Sequence, residues 1–279
     1  MKRLLIIDGH NLLFQMFFGM PSRIIGASGK PIQGVIGFVG AVNKLIRLTS
    51  PTCIAVIFDG EKENPRKALS EEYKANRIDY SQVPEDENPF TQLDDIYRAL
   101  DYMGIKHTET AVCETDDVIA AYAKKYGGEY EVIISSFDSD YFQLVNDKVT
   151  VIRYRGESSV ICDKDYIISR YGVTPNLYPD FKCLVGDTSD NISGIRGIGP
   201  KTAAKIINQL GDVDNVITRC KELESKKIAD SINEGRDILV RNRALIKLDG
   251  EADIPFTPDE AVYDKLPPRT MEVIHALGL

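Results

Sequence analysis

The sequence lacks the marks of several protein classes. No apolar run approaches the roughly 20 residues that a membrane-spanning helix needs. Behind Met1-Lys2-Arg3 the apolar run Leu4 to Ile7 stops at Asp8. That is too short for the core of a signal peptide, so a cytoplasmic location is expected. Five cysteines (Cys53, Cys113, Cys162, Cys183 and Cys220) are odd in number and show no CxxC spacing. They read as reduced thiols, not as a disulfide framework or a zinc site. Only three histidines occur, His10, His107 and His275, too few for a metal site built on imidazole. A basic excess is missing too: the net charge is −8. Taken alone, that speaks against a nucleic-acid partner. The inference changes if the acids are gathered in one place, because divalent cations would then be the reason for the cluster.

What is present is ordinary for a soluble globular protein: 279 residues, 43% of them hydrophobic and 27% charged. That composition excludes disordered, collagen-like and coiled-coil chains, and the length fits one large domain with or without a small one. The first half alternates two patterns. Arg3–Ile7, Cys53–Phe58, Glu131–Ser136 and Val149–Ile152 are short apolar runs, read as buried strands. Helical patterns fall between them at about 34–49, 90–103 and 115–126. Such alternation indicates a mostly parallel central sheet with helices on both faces. Residues 61–90 are rich in charge and then in proline; they read either as a solvated helix and loop or as a flap over an active site. Beyond 180 the pattern turns to short helices and glycine-rich turns, at 177–184, 201–210, 221–234, 236–246 and 269–277.

The acids are not scattered. Asp8, Asp59, Asp138 and Asp140 stand at or just past strand C-termini, the edge where open parallel sheets bind ligands. Glu114, Asp116 and Asp117 stand at a helix start, and Asp187 and Asp190 follow in the segment Gly186–Asn191. Helix capping and the helix dipole account for one or two of these acids, not for the set. Nine carboxylates brought together repel severely unless divalent cations join them. Oxygen donors without histidine or cysteine favour Mg²⁺ or Mn²⁺. Paired metals at a scissile phosphate make the most use of such a set.

A second signal is Gly194-Ile195-Arg196-Gly197-Ile198-Gly199-Pro200-Lys201-Thr202-Ala203. Its glycines allow a tight turn, Pro200 suits the first helical turn, and the backbone amides beside Lys201 offer an anion site. This is a helix-hairpin-helix pattern, which holds DNA phosphates without reading bases. A Rossmann-like nucleotide loop would follow a strand; the segment before this one is polar and helical. Between 194 and 227 seven basic residues, Lys205 among them, face four acids.

These stretches resemble the 5′-nuclease superfamily: bacterial flap endonucleases and the 5′–3′ exonuclease domain of DNA polymerase I. The match runs in family order from about residue 3 to 250, through Leu5–Gly9, Gly34–Phe38, Val56–Asp59, Tyr73–Arg77, Glu114–Ile119, Asp138–Asp140 and Gly186–Ile192. Departures at Phe14, Phe17, Ile36, Phe137, Ser139 and Ser193 remove no acidic position. No polymerase part follows in this sequence, so a stand-alone enzyme is expected. The resemblance implies a PIN-like α/β core over residues 1–180 with an arch at about 61–90. It implies a helix-hairpin-helix (H3TH) DNA-binding region at 181–255 and a tail at 256–279 packed on the core. Asp8, Asp59, Glu114 and Asp116 would serve a first metal, and Asp138, Asp140, Asp187 and Asp190 a second. Asp117 would support either. Lys74, Arg77 and Arg66 would be the basic arch residues that act on the phosphate. Gly194, Ile195, Arg196, Gly197, Ile198, Gly199, Lys201, Thr202 and Lys205 would hold duplex DNA, with K⁺ at the hairpin carbonyls. The expected protein is a monomer that cuts branched or duplex DNA with two Mg²⁺ or Mn²⁺ ions. A DNA-branch binder that does not cut and a PIN-like ribonuclease are the competing readings.

Overall fold

The structure, a computed structural model, describes residues 2–60 and 65–279. The chain folds around a six-stranded sheet. In order come β1 (Arg3–Asp8), α1 (Gly9–Gly19), α2 (Gln33–Thr49), β2 (Cys53–Phe58), α3 (Leu93–Met103), β3 (Lys106–Glu109), α4 (Thr115–Tyr126), β4 (Glu131–Ser135), β5 (Val149–Arg153) and β6 (Val160–Cys162). Then follow α5 (Lys164–Tyr171), α6 (Tyr178–Val185), β7 (Gly186–Asp187), β8 (Ile192–Ser193), α7 (Pro200–Leu210), α8 (Val213–Arg219), α9 (Lys226–Glu234), α10 (Arg236–Ile246) and α11 (Thr270–Ala276).

The large sheet has the order β3-β2-β1-β4-β5-β6. All neighbours are parallel except β5 and β6. The central strand is buried on both faces, which is why it reads as an unbroken apolar run. Leu5 and Ile7 pack with α2, α3 and α11 on one face, whereas Leu4 and Ile6 pack with α4 and the helices beyond α5 on the other. Strand order grows outward from β1 through β2 to β3, then restarts on the other side of β1 with β4. The switch point therefore lies between β1 and β4, and a crevice opens at their C-terminal ends.

Expectation and structure differ in several places. The polar edge strand β3, the short edge strand β6 and the helices α1, α5 and α8 were not expected. The expected helix at 221–234 begins only at Lys226, after a 3-10 turn at Cys220–Glu222. The expected helix at 90–103 begins at Leu93, after a 3-10 turn at Pro89–Gln92. Within 65–90 there is no long solvated helix but a series of short 3-10 turns; residues 61–64 of the expected arch lie outside the described residues. The tail returns to the core: Ile54 N–H donates to Ala261 O at 2.9 Å, and Tyr263 N–H to Thr52 O at 2.8 Å. All five cysteines are free, and four are buried.

Two glycines shape the second acidic segment and the hairpin. Gly186 has φ +81°, and a Cβ there would run into the backbone of Ile192 to Gly194. Without it β7 and β8 could not pair and bend Asp187 back to the sheet edge. Gly197, φ +83°, makes the hairpin turn before α7.

Candidate active site

Four carboxylates meet at the switch point. Asp8 ends β1 and caps α1: one oxygen accepts from Asn11 N–H at 3.1 Å, the other from Ser136 Oγ at 2.8 Å. Asp59 follows β2 and accepts from Thr115 N–H at 2.8 Å. Asp116 lies in the first turn of α4 and accepts from Tyr141 Oη at 2.5 Å. Asp138 follows β4 and accepts from Asp140 N–H at 2.8 Å. These four acids line one cleft of about 1170 Å³, together with Lys74 and Arg77. Its far wall is aromatic: the rings of Phe14, Tyr80 and Phe90 stand edge to face at 5.2–5.5 Å.

The charge in this cleft is poorly compensated. Burial, with Asp59 beside it, pushes Asp8 up to about 7. Burial and the neighbouring Asp138 raise Asp116 well above the usual carboxylate range. Asp59 is the exception. Burial opposes its charge, but the His10 ring beside it, which accepts from Asp59 N–H, and the hydrogen bond from Thr115 hold it below the usual range. Among the described residues no lysine or arginine forms an ion pair with Asp8, Asp59, Asp116 or Asp138. A site that gathers four carboxylates around one nearby ammonium, Lys74, which is itself paired with Glu114, suits hard metal ions.

A second acidic group lies beside the first. Oxygens of Asp140, Asp187 and Asp190 lie within 4.8 Å of one another. Here every acid has a cation. The Lys182 ammonium, on α6, donates to Asp140 and, at 2.5 Å, to Asp187 Oδ2. Arg77 Nη2 donates to Asp190 Oδ1 at 3.0 Å. Burial works against the charge on Lys182, but Asp140 and Asp187 outweigh it and hold the ammonium protonated. The same ammonium lowers Asp187 against the effect of its burial, but burial still pushes Asp140 up to about 7 in spite of it.

The remaining two predicted ligands do not line the cleft. Glu114 accepts from both Arg66 and Lys74, and Asp117 accepts from Arg66 Nη2 at 2.6 Å and from Asp249 N–H at 2.8 Å. These contacts tie the 66–77 segment to the start of α4. Arg66 is thereby buried, 8% exposed. It reaches no open surface, unlike Lys74 and Arg77, which line the cleft. Lys74 has the left-handed φ of +57°, uncommon for a residue with a side chain. It is held by its own N–H on Asp190 O at 3.0 Å.

In the hairpin, Ile195 and Ile198 are not surface contacts: at 4% and 6% exposure they anchor the turn in the core. Arg196, Gly197, Gly199, Lys201 and Lys205 are exposed, and Gly194 and Thr202 half-buried. The sequence reading passed over Lys182, Tyr141, Ser136, Asn11 and His10. A lysine in the apolar turn Asp180-Phe181-Lys182-Cys183-Leu184 was a usable signal, because a lysine goes into a core only when paired.

Comparison with known proteins agrees with this arrangement. Residues 3–172 match the family described as 5'-3' exonuclease, N-terminal resolvase-like domain, and residues 173–268 the 5'-3' exonuclease, C-terminal SAM fold. The chain is 32% identical over 260 residues, 93% of its length, to the thermostable DNA polymerase I of Thermus thermophilus. It is 34% identical over 279 residues, 98% of its length, to DNA polymerase I of Mycobacterium bovis. It spans 30% of the length of each of these relatives. Among solved structures, a bacteriophage T5 flap endonuclease with DNA and metal ions superposes with a TM-score of 0.74. It shares 27% identity, over 89% of this chain and 90% of that one. The catalytic core of Rad2 with DNA shares the fold at a TM-score of 0.64 and 17% identity, over 99% of this chain and 87% of that one. With its strand-end carboxylates, basic 66–77 segment and glycine hairpin in family order, the chain belongs to the 5'-3' exonuclease family.

Proposed function

We propose that this chain is a structure-specific 5′ nuclease, a flap endonuclease and 5′–3′ exonuclease that hydrolyses phosphodiester bonds of branched or duplex DNA in replication and repair. The observation that carries the reading is the paired acidic site under basic side chains at the sheet's switch point. Asp8, Asp59 and Asp116 would hold one divalent ion, Mg²⁺ or Mn²⁺. Asp140, Asp187 and Asp190 would hold a second, with Asp138 between them. When bound, such ions supply an activated water and charge stabilisation at the scissile phosphate. Glu114 and Asp117 serve by holding the basic segment in place. Lys74 and Arg77 face the cleft and bind the phosphate, where their charge opposes the negative charge that develops. Arg66 acts on the phosphate only through the position it gives to that segment. The aromatic wall suits unpaired bases next to the phosphate.

Residues 1–180 form the cleaving core in this reading, and residues 181–255 hold the duplex through exposed hairpin amides, Arg196, Lys201 and Lys205. K⁺ would sit on the hairpin carbonyls. Residues 256–279 brace the core. The protein would work as a cytoplasmic monomer. The T5 structures bound to zinc and to DNA with metal ions support the metal and the substrate class. The test is a duplex carrying a 5′ flap labelled at its 5′ end. Release of a short labelled fragment near the branch with Mg²⁺ or Mn²⁺, and none with EDTA, is expected. Binding without cleavage in either metal overturns the enzyme reading.

A further inference from the structure

The second acidic group already contains a cation. Lys182 is buried to 5% exposure, and its ammonium sits on two of the three carboxylates that could take a metal. Asp190, the third, is paired with Arg77. Three carboxylates against two side-chain cations leave one net negative charge. A divalent ion added to all five groups would turn this to one net positive charge, offset only by Asp138 beside them and by water around the exposed Arg77. The ammonium takes Asp140 Oδ1 and Asp187 Oδ2, and Ser189 N–H and Oγ take Asp187 Oδ1, so an ion on Asp187 meets an oxygen already in use. An ion brought onto these carboxylates would also stand close to the ammonium, and like charges repel.

We infer that Lys182 is a displaceable counter-cation that competes with the second metal. In the metal-free protein it stabilises Asp140 and Asp187, and metal enters only as the ammonium withdraws. Ser139 Oγ, 3.5 Å from Nζ, is the neighbour left to it. The second site is therefore the weaker one by construction, while the first, with no ion-paired lysine or arginine among the described residues, fills first. This rests on the metal-dependent reading above.

The test counts Mn²⁺ bound to the full chain by electron paramagnetic resonance, without DNA and without reading activity. Wild type is expected to bind one ion tightly and a second more weakly. Lys182→Met, similar in length and uncharged, is expected to tighten the second site by about tenfold or more and leave the first unchanged, a tenfold change being about 1.4 kcal/mol. Lys182→Arg keeps the charge and is expected to keep the second site weak. If Lys182→Met folds only with metal, the gain of its melting temperature on adding Mn²⁺ replaces the titration, and a gain above that of the wild type is expected. A second site unchanged or weakened in Lys182→Met overturns the inference and leaves the metal reading standing. Absence of any Mn²⁺ binding in wild type overturns both.

Discussion

The two acidic groups share a sheet edge but solve their charge problem differently. Asp8, Asp59, Asp116 and Asp138 are held by hydroxyls and backbone amides and, among the described residues, pair with no lysine or arginine. Asp140, Asp187 and Asp190 are held by Lys182 and Arg77. Hydrogen bonds orient a carboxylate and leave its charge; an ammonium orients it and offsets its charge, fully at Asp187 and only in part at the more deeply buried Asp140. The first group thus keeps most of its charge uncompensated, and the second carries counter-cations built into the fold. Two pools of acids that look alike in sequence therefore differ in what they demand of a metal.

Four expected outcomes test that contrast, the largest effect first. Asp138→Ala and Asp187→Ala, one from each group, should each reduce flap cleavage by more than about 10³-fold, since each removes charge stabilisation from the reacting phosphate. Circular dichroism should show the fold intact, and near-full activity in either variant breaks the two-group account. Lys74→Met should lower kcat by about 10²-fold, as expected for one charged group acting on the transition state. Its metal stoichiometry should not change, which separates phosphate contact from metal holding. A KM effect with unchanged kcat would place Lys74 in binding only.

The third outcome concerns pH in the metal-free protein. Burial pushes Asp8 up to about 7 in the fold, against 3.8 for the ordinary group. Between these values the folded chain keeps a proton that the unfolded chain has lost. Stability with EDTA should therefore fall as pH rises from about 4 to about 7, by up to about 4 kcal/mol from this group, with Asp116 and Asp140 adding to the fall. Metal needs the ionised form, so Mn²⁺ affinity at the first group should rise over the same range. Thermal melts at several pH values, with EDTA and with Mn²⁺, check both slopes. A metal-free melting temperature that climbs through this range contradicts the uncompensated-charge reading. The smallest effect belongs to the hairpin. Lys201→Ala and Lys205→Ala should each weaken DNA binding only several-fold and reduce the salt slope by about one. An unchanged slope in both would remove those side chains from the interface.

Much of this was legible in the sequence, and the gaps have physical causes. β1, β2, β4 and β5 announce themselves because burial on both faces demands apolar residues throughout. β3 does not: Lys106-His107-Thr108-Glu109 is a half-exposed edge strand that pairs only on one side and carries no apolar pattern. α1 was hidden because Leu12 to Phe18 is apolar nearly all round, without a helical stripe. The acids at strand ends were legible because topology alone brings strand ends together. For Glu114 and Asp117 the basic partner was not legible, since Arg66 reaches them across 48 and 51 residues of chain. Lys182 is the clearest case: its apolar setting signals a paired lysine, but its partners Asp140 and Asp187 lie on separate elements and no local pattern names them. Ile195 and Ile198 show the reverse error, a motif whose conspicuous residues are the anchor and not the contact.

The central claim is that both acidic groups take metal and take it unequally. Crystals soaked at graded Mn²⁺ concentrations, measured by anomalous scattering, test it most directly. The account expects a first peak among Asp8, Asp59 and Asp116. A second should appear among Asp140, Asp187 and Asp190 only at higher concentration, with the Lys182 ammonium withdrawn. A peak that appears first at Asp187, or a second ion bound while Lys182 stays on both carboxylates, would contradict it.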